Sequence, residues 1–337
     1  MLTSKEFAKL IGLSQSTVSR ALNGSGQVSE ETRQYVQQKA EEFGFVLNSQ
    51  ARGLRNNKTG TVGILFPRYF ESLCKNMMFT YLYDSILAEL IKIDYDVMII
   101  YDIGVSSRIN VLERIIKSRK VDGFINLRPV LEEEEIQMFQ RYQFPCVSIF
   151  QLKNETDKIS RFCVDEWEVG HDAGTFFSKW NEYRPAYVSL PLTDVSSAKR
   201  YHGFLNGLKR DEDLDMVITC DLSAESAYER TISQKNWLYS GRSAIFVYND
   251  MLALGVSQAV LNLGLRIPEQ VQIISTDDIP MAQWFPPKLS TLHVPVKEMV
   301  RDGCAALKKM LNGEDVPVTC KIYQAALICR DTTMVSK

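Results

Sequence analysis

The sequence predicts an α/β protein in two parts: a small N-terminal helix-turn-helix unit, then two similar lobes built on parallel sheets. Three observations carry this reading. In the first fifty residues, short amphipathic segments are separated by Gly12 and by Asn23-Gly24. From residue 60 onward, apolar strand-like runs alternate with helical ones, the pattern of parallel strands joined by crossover helices. The composition is globular, with 337 residues that are 45% hydrophobic and 24% charged, enough for more than one core.

In the front unit, Thr3 and Ser4 are capping residues for a first helix whose core face carries Phe7, Ala8, Leu10 and Ile11. Gly12 allows a tight turn, Ser14 caps a second helix over Gln15–Leu22, and Asn23-Gly24 stops it. Ser29-Glu30-Glu31-Thr32 opens a third helix with Val36, Ala40 and Phe43 inward, ended by Gly44. Two short helices joined by a glycine turn form a helix-turn-helix. At about 100° per residue, Val18, Ala21 and Leu22 share one side of the second helix, while Gln15, Ser16 and Arg20 share the other. A helix of this width fits the DNA major groove, where Gln pairs with adenine and Arg with guanine. Ser14, Thr17 and Ser19 are short hydroxyl donors suited to phosphate. Residues 1–58 carry eight basic against five acidic side chains, although the whole chain has a net charge of -2. Any nucleic-acid role therefore belongs to this segment.

In the large part, strands are expected at Val62–Phe66, Asp96–Tyr101, Gly123–Asn126, Cys146–Phe150, Ala186–Leu190, Ala244–Tyr248 and Val271–Ser275. Helices are expected between them at 81–93, 109–117, 132–142, 166–177, 198–209, 228–237 and 251–263. Ligands of such folds sit outside the carboxyl ends of the strands, in the crevice between lobes. Glu132–Glu135 reads as an acidic first helical turn, where carboxylates complement the dipole.

Other chemistries are disfavoured. No run of eighteen apolar residues exists, so no membrane-spanning helix is expected. The opening residues lack the apolar region and small-residue cleavage site of a secretory signal. The seven cysteines are scattered and never spaced C-x-x-C, which reads as buried free thiols in a reducing cytoplasm. His171, His202 and His293 lack metal-ligand spacing, and the nucleophile-elbow motif G-x-S-x-G is absent. No cofactor, metal or catalytic residue is expected.

The run Ser14-Gln-Ser-Thr-Val-Ser-Arg-Ala-Leu-Asn23, followed by Val28-Ser-Glu-Glu-Thr-Arg33, resembles the opening of the lactose repressor/galactose repressor (LacI/GalR) family, with Leu13 in place of a Val. The resemblance continues through Phe43-Gly44-Phe45, Asn48, Ala51-Arg52 and Leu54. It then takes in Thr61–Phe66, Val121–Ile125, Arg200 with Gly203-Phe204, Asn249-Asp250, Asp277-Asp278-Ile279 and Pro287 with Leu289-Ser290-Thr291. It implies a helix-turn-helix DNA-binding domain at 1–47 and a hinge helix and linker at 48–59. A two-lobed effector domain of periplasmic-binding-protein type would follow. Its first lobe would take 60–158 plus 290–320 and its second 159–289 plus 321–337, with crossings near 159, 290 and 321.

The implied function is a cytoplasmic transcriptional regulator, most simply a repressor. It would be a homodimer on a palindromic double-stranded operator, and a small molecule, a sugar or other neutral polyol, would modulate it. A solute-binding sugar receptor and a sugar-processing enzyme are the alternatives; the front unit and the absent catalytic constellation argue against them. DNA contacts are implied at Ser14, Gln15, Ser16, Thr17, Ser19, Arg20, Asn23, Ala51, Leu54 and Arg55, with Leu54 wedging a base step of the minor groove. Effector contacts are implied at Phe79, Phe150, Arg200, Leu222, Asn249, Asp277 and Trp284, the last either stacking on a sugar or packing beneath the crevice. Asp250 is read as the cap of the following helix and Asp278 as turn chemistry. Asp194 stands where anion-binding members carry an Arg, which disfavours an anionic effector.

The hinge carries Gly53 where family members commonly have Ser. A lone eight-residue helix is marginal in water, and glycine weakens it by a further ~1 kcal/mol. Gly53→Ala is therefore expected to tighten operator binding in a gel-shift titration; unchanged or weaker affinity would contradict a hinge helix limited by its own folding.

Overall fold

The computed structural model describes residues 2–22, 27–45, 58–67, 77–101, 105–150 and 157–334. The expected hinge contacts Ala51, Leu54 and Arg55, together with Asn23 and Gly53, lie outside the described residues. The chain divides into two units, Met1–Thr61 with Arg114–Asp122, and Val62–Glu113 with Gly123–Lys337.

In the first unit, α1 (Ser4–Leu10) is closed by a capping box in which Thr3 and Glu6 satisfy each other's backbone N–H groups. Gly12 turns the chain at φ 72°. Helix α2 (Gln15–Leu22) starts at Ser14, whose Oγ accepts from the Thr17 N–H at 3.1 Å. Helix α3 (Glu30–Glu42) is capped by Ser29. The core joins Phe7, Ala8, Ile11, Val18, Ala21, Val36, Ala40 and Phe45. Two expected core residues are not in it: Leu10 is 56% and Phe43 is 42% exposed. Phe45 takes the inner place instead, stacked on Phe7 with ring centroids 4.1 Å apart. The reason is Gly44, whose φ of 57° redirects the chain after α3.

The second unit holds two six-stranded sheets. The first has the order β11-β5-β4-β3-β1-β2. Its strands are β1 (Thr61–Phe66), β2 (Asp96–Tyr101), β3 (Gly123–Asn126), β4 (Cys146–Ile149), β5 (Ser160–Val164) and β11 (Cys320–Tyr323). The second has the order β12-β10-β9-β8-β6-β7. It uses β6 (Arg184–Ser189), β7 (Val217–Thr219), β8 (Ser243–Val247), β9 (Val271–Asp277), β10 (Ser290–His293) and β12 (Ala326–Ile328). Pairing is parallel from β11 to β1 and from β10 to β7, and β12 runs antiparallel against β10.

The chain leaves the first sheet after Val164, returns after His293 and leaves again after Tyr323. Each crossing falls a few residues later than the expected 159, 290 and 321. Strand β5 thus extends the first lobe past 158, and β10 keeps 290–293 in the second. The displaced strands are short or polar, so their sequences carry little apolar alternation.

The helices are α4 (Met77–Ile91), α5 (Val105–Lys117), α6 (Glu133–Arg141), α7 (Glu166–Phe177), α8 (Val195–Gly207), α9 (Ala224–Ser233), α10 (Lys235–Tyr239), α11 (Asp250–Asn262) and α12 (Val296–Leu311). Helix α12, not anticipated from sequence, packs on α4, β4 and β5 in the first lobe. Helices α7 and α8 pack backbone to backbone. A Cβ built on Gly170 would lie 1.9 Å from the Arg200 carbonyl oxygen, and one on Gly203 would lie 1.9 Å from that of Trp167. Gly174 and Gly207 repeat the contact one turn on, at 2.3 Å from Phe204 O and 2.2 Å from His171 O. The i, i+4 spacing puts each pair of glycines on one helix face.

Among the described cysteines, Cys146, Cys163, Cys220 and Cys304 are buried as expected, but Cys320 and Cys329 are exposed. They lie on and beside β11 and β12, the edge strands of the two sheets. Gly203→Ala is expected to lower stability by about 3 kcal/mol or more, since backbone cannot repack as a side chain can. A urea midpoint equal to wild type would show that the two helices can separate freely.

Candidate DNA-reading helix and effector site

On α2 the wheel reading holds. Val18 and Ala21 are fully buried, Leu22 is half-buried, and Gln15 and Ser16 are exposed. Arg20 is half-buried and its Nε has no hydrogen-bond partner among the described residues. Ser14 is committed to the helix: besides capping, its Oγ lies 2.7 Å from that of Ser16 and 2.8 Å from Thr17 Oγ1. Its role is to orient α2 and the hydroxyls beside it.

In the second lobe the site grows out of the α7–α8 contact. Asp165, just past β5, caps α7, with its Oδ1 accepting from Trp167 N–H at 2.8 Å. Asp194 caps α8 by accepting from Ser197 N–H at 3.0 Å. With the helices held by their glycines, Glu166 and Arg200 meet: Arg200 Nε donates to Glu166 Oε2 at 2.5 Å, both side chains nearly out of solvent. Arg200 Nη1 donates to the Tyr248 carbonyl, and the guanidinium lies 4.5 Å from the Tyr248 ring centroid. The second terminal nitrogen has no hydrogen bond among the described residues. Burial opposes the Arg200 charge, but Glu166, Tyr248 and Asp277 together more than offset it, so the cation persists.

Asn249, at the end of β8, caps α11 by accepting from Leu252 N–H at 3.0 Å. The cap is therefore Asn249, not Asp250. Asp250 is turned inward, where it accepts from Ser275 Oγ (2.5 Å), Thr291 Oγ1 (2.7 Å) and Ile279 N–H (2.8 Å), tying β9 to β10. Burial pushes its carboxyl up to about 6 despite these three donors.

Asp277 ends β9 at φ 123°. It keeps some solvent contact, yet burial and the neighbouring Asp250 charge raise its carboxyl well above the ordinary value of 3.8, against the pull of Arg200. Asp278 is more than a turn residue. Its carboxylate accepts from Arg330 Nη2 at 2.6 Å and meets His293 Nδ1 at 2.9 Å, where the chain leaves the second sheet.

In the first lobe, Phe79 and Phe150 meet edge to face with centroids 6.4 Å apart. Phe150 holds φ 106°, a conformation costly for a bulky residue. Strain of this kind, ~1–3 kcal/mol per residue, gathers at binding sites. Phe150 and Asp277 both carry it at strand ends.

Arg200, Asn249 and Asp277 thus stand together in the second lobe, and Phe79 with Phe150 in the first. Leu222 is half-buried beyond β7 and joins neither group. Trp284 is 77% exposed at the end of the 3-10 turn Pro280–Gln283, so it does not pack beneath the crevice.

Sequence reasoning missed Glu166, the acid that neutralises Arg200, and Tyr248, which cradles it. The signal was present as paired G-x-x-x-G spacings, Gly170–Gly174 and Gly203–Gly207, which mark close helix approach. It also missed a buried network at the ends of β3 and β4. There Arg128 donates to Glu135 (3.0 Å) and to Asn126 Oδ1 (3.1 Å), while Asn126 Nδ2 reaches Ser148 Oγ at 3.1 Å. Glu135, read as part of an acidic first helical turn, is fully buried.

Comparison with known proteins places these features. Residues 3–48 match the family of bacterial regulatory proteins, lacI family, and residues 183–333 match the periplasmic binding protein-like domain. The HTH-type transcriptional repressor PurR of Vibrio atlanticus is 25% identical over 318 residues, spanning 94% of this chain and 93% of that protein. The crystal structure of the lac repressor dimer bound to operator and the anti-inducer ONPF superposes with a TM-score of 0.81 at 20% identity, covering 99% of both chains. The complex of the transcriptional regulator CelR with cellobiose gives 0.72 at 21% identity, covering 98% of this chain and 100% of that one. No described helix is long and apolar enough to cross a membrane. The chain belongs to the LacI family of bacterial regulatory proteins, which are DNA-binding transcriptional regulators and not enzymes.

Proposed function

We propose that this protein is a cytoplasmic, dimeric repressor that reads a palindromic operator through α2 and answers to a neutral polyol held by Arg200, Asn249 and Asp277. The observation that carries the DNA half is the surface of α2: its apolar face is spent on the unit's own core, while Gln15 and Ser16 face outward. Gln15 and Arg20 are assigned to base edges and Thr17 and Ser19 to phosphates. Asn23, Ala51, Leu54 and Arg55 are assigned to the DNA side of the hinge by resemblance alone. A two-fold dimer matches a two-fold operator, and the lac repressor, similar to this chain in fold, was crystallised as a dimer on its operator.

The effector class follows from charge. Arg200 is already balanced by Glu166, so an anion would meet Asp277 and Asp250 without a spare cation. A hydroxylated neutral molecule suits the donors and acceptors that remain: one Arg200 nitrogen, the Asn249 amide and the Asp277 carboxyl. Phe79 and Phe150 offer it an apolar wall. The cellobiose held by the similar regulator CelR is of this class. A ligand that binds two lobe arrangements unequally shifts their populations, and with them operator affinity.

Two experiments test this reading. Selection of binding sites from random duplex DNA with the full-length chain is expected to enrich a palindrome. Arg20→Ala should then cost ~1–3 kcal/mol and relax preference at one base pair per half-site. Equal loss on every sequence would move Arg20 to the phosphates, and no enrichment would sink the regulator reading for this chain. The second concerns Asp277. Its carboxyl holds protons more tightly folded than unfolded, so its contribution to stability is complete below about pH 4 and is lost as pH rises through the raised value. Asp277→Asn should therefore raise Tm more at pH 8 than at pH 5; a pH-independent difference would contradict a desolvated, charge-opposed carboxyl.

A further inference from the structure

Away from the residues assigned to the effector, a cavity of about 410 Å³ lies at the β11 edge of the first sheet. Arg161 and Cys163 of β5 and Cys320 and Ile322 of β11 line one side. The register pairs Cys320 with Arg161 and Ile322 with Cys163, so all four share one sheet face. The opposite side is Trp167 of α7 and Lys199 of α8, helices of the second lobe. The cavity therefore spans the two lobes beside the first and third crossings.

Arg161 is the unusual member. It is only 8% exposed, its Nε has no hydrogen-bond partner, and it makes no ion pair among the described residues. A guanidinium does not neutralise itself by losing a proton, so its burial without a partner is costly. The nearest acid on the cavity wall, Asp165, is engaged as the α7 cap. Lys199 lines the cavity as well, and the cavity lies at the N-terminal end of α7, where the helix dipole favours negative charge. Ile322 and the Trp167 indole supply apolar walls. The other buried arginines of this unit differ: Arg128 and Arg200 each face a carboxylate.

We infer that this cavity is a second ligand site, which takes a small oxyanion, a carboxylate or a phosphate, on the Arg161 guanidinium. Its occupant would complete the hydrogen bonding of Arg161 and touch β5 and β11 on one side and α7 and α8 on the other. Binding there ties first-lobe strands to second-lobe helices, so the anion is a second input to the same lobe equilibrium that the crevice ligand biases. The site needs neither operator nor crevice ligand to be filled, so its test stands apart from the repressor reading.

The test is isothermal titration of the full-length protein with citrate and, separately, with inorganic phosphate, at ionic strength matched by sodium chloride. Saturable binding of either is expected, and which of the two binds identifies a carboxylate or a phosphoryl group. Arg161→Gln should weaken it at least about tenfold, the loss expected for a charge-assisted contact. Cys320→Phe keeps the buried charge but fills the mouth, and should weaken binding as well. It decides the matter if Arg161→Gln does not fold. In the wild type, the bound anion should slow alkylation of Cys320 by iodoacetamide. No saturable binding of either anion, or binding that Cys320→Phe and a folded Arg161→Gln both retain, overturns the proposal.

Discussion

The second lobe depends on the contact between α7 and α8. Four glycines let the two backbones approach to a distance that no Cβ could share. That approach brings Glu166 to Arg200 and lets a cation sit in a nearly dry position. Without the acid, Arg200 would be a buried unpaired charge, a deficit of ~3–5 kcal/mol. With it, Arg200 reaches the Tyr248 carbonyl and faces Asp277. The charged cluster of Glu166, Arg200 and Asp277 is thus built on a helix contact whose own residues have no side chains.

A second constraint is the inward turn of Asp250. It gathers donors from β9, β10 and the segment after Asp277, and so fixes where β9 ends. Asp278, with Arg330 and His293, fixes the next step, where the chain returns to the first lobe. Adjacent acidic residues therefore do different work. Asp277 faces Arg200 at the end of β9, Asp278 pins a crossing, and Asp250 holds the strands together. Burial raises the carboxyls of both Asp250 and Asp277, and the neighbouring charges of Asp278 and Asp250 respectively add to it.

The front unit is simpler. Three short helices share one small core, and the outward face of α2 is what that core leaves over. Its boundaries were legible because capping chemistry is local. Thr3, Ser14 and Ser29 each bond a backbone N–H three residues on, and Gly12 and Gly44 take the positive φ that stops a helix. Placement in the core was less legible: Leu10 and Phe43 are apolar and exposed, while Phe45, beyond the helix, is stacked inside.

The sequence by itself determined seven of the twelve described strands and their alternation with helices in the large unit, the span of α2 and the outward face of its polar residues. These follow from hydrophobic period and from caps, both properties of near neighbours in the chain. It also pointed to Arg200, Asn249 and Asp277 as a set, through resemblance. Tertiary structure decided what those residues do. Asn249 and not Asp250 caps α11, Glu166 balances Arg200 across 34 positions of chain, and Arg161 is left without an acid in a cavity between lobes. The short crossing strands β5, β10 and β11 also waited on tertiary structure, because their partners come from distant segments. Pairing and burial of charge are set by which backbones approach. In this chain that approach is governed by glycines whose meaning appears only when two helices are laid against each other.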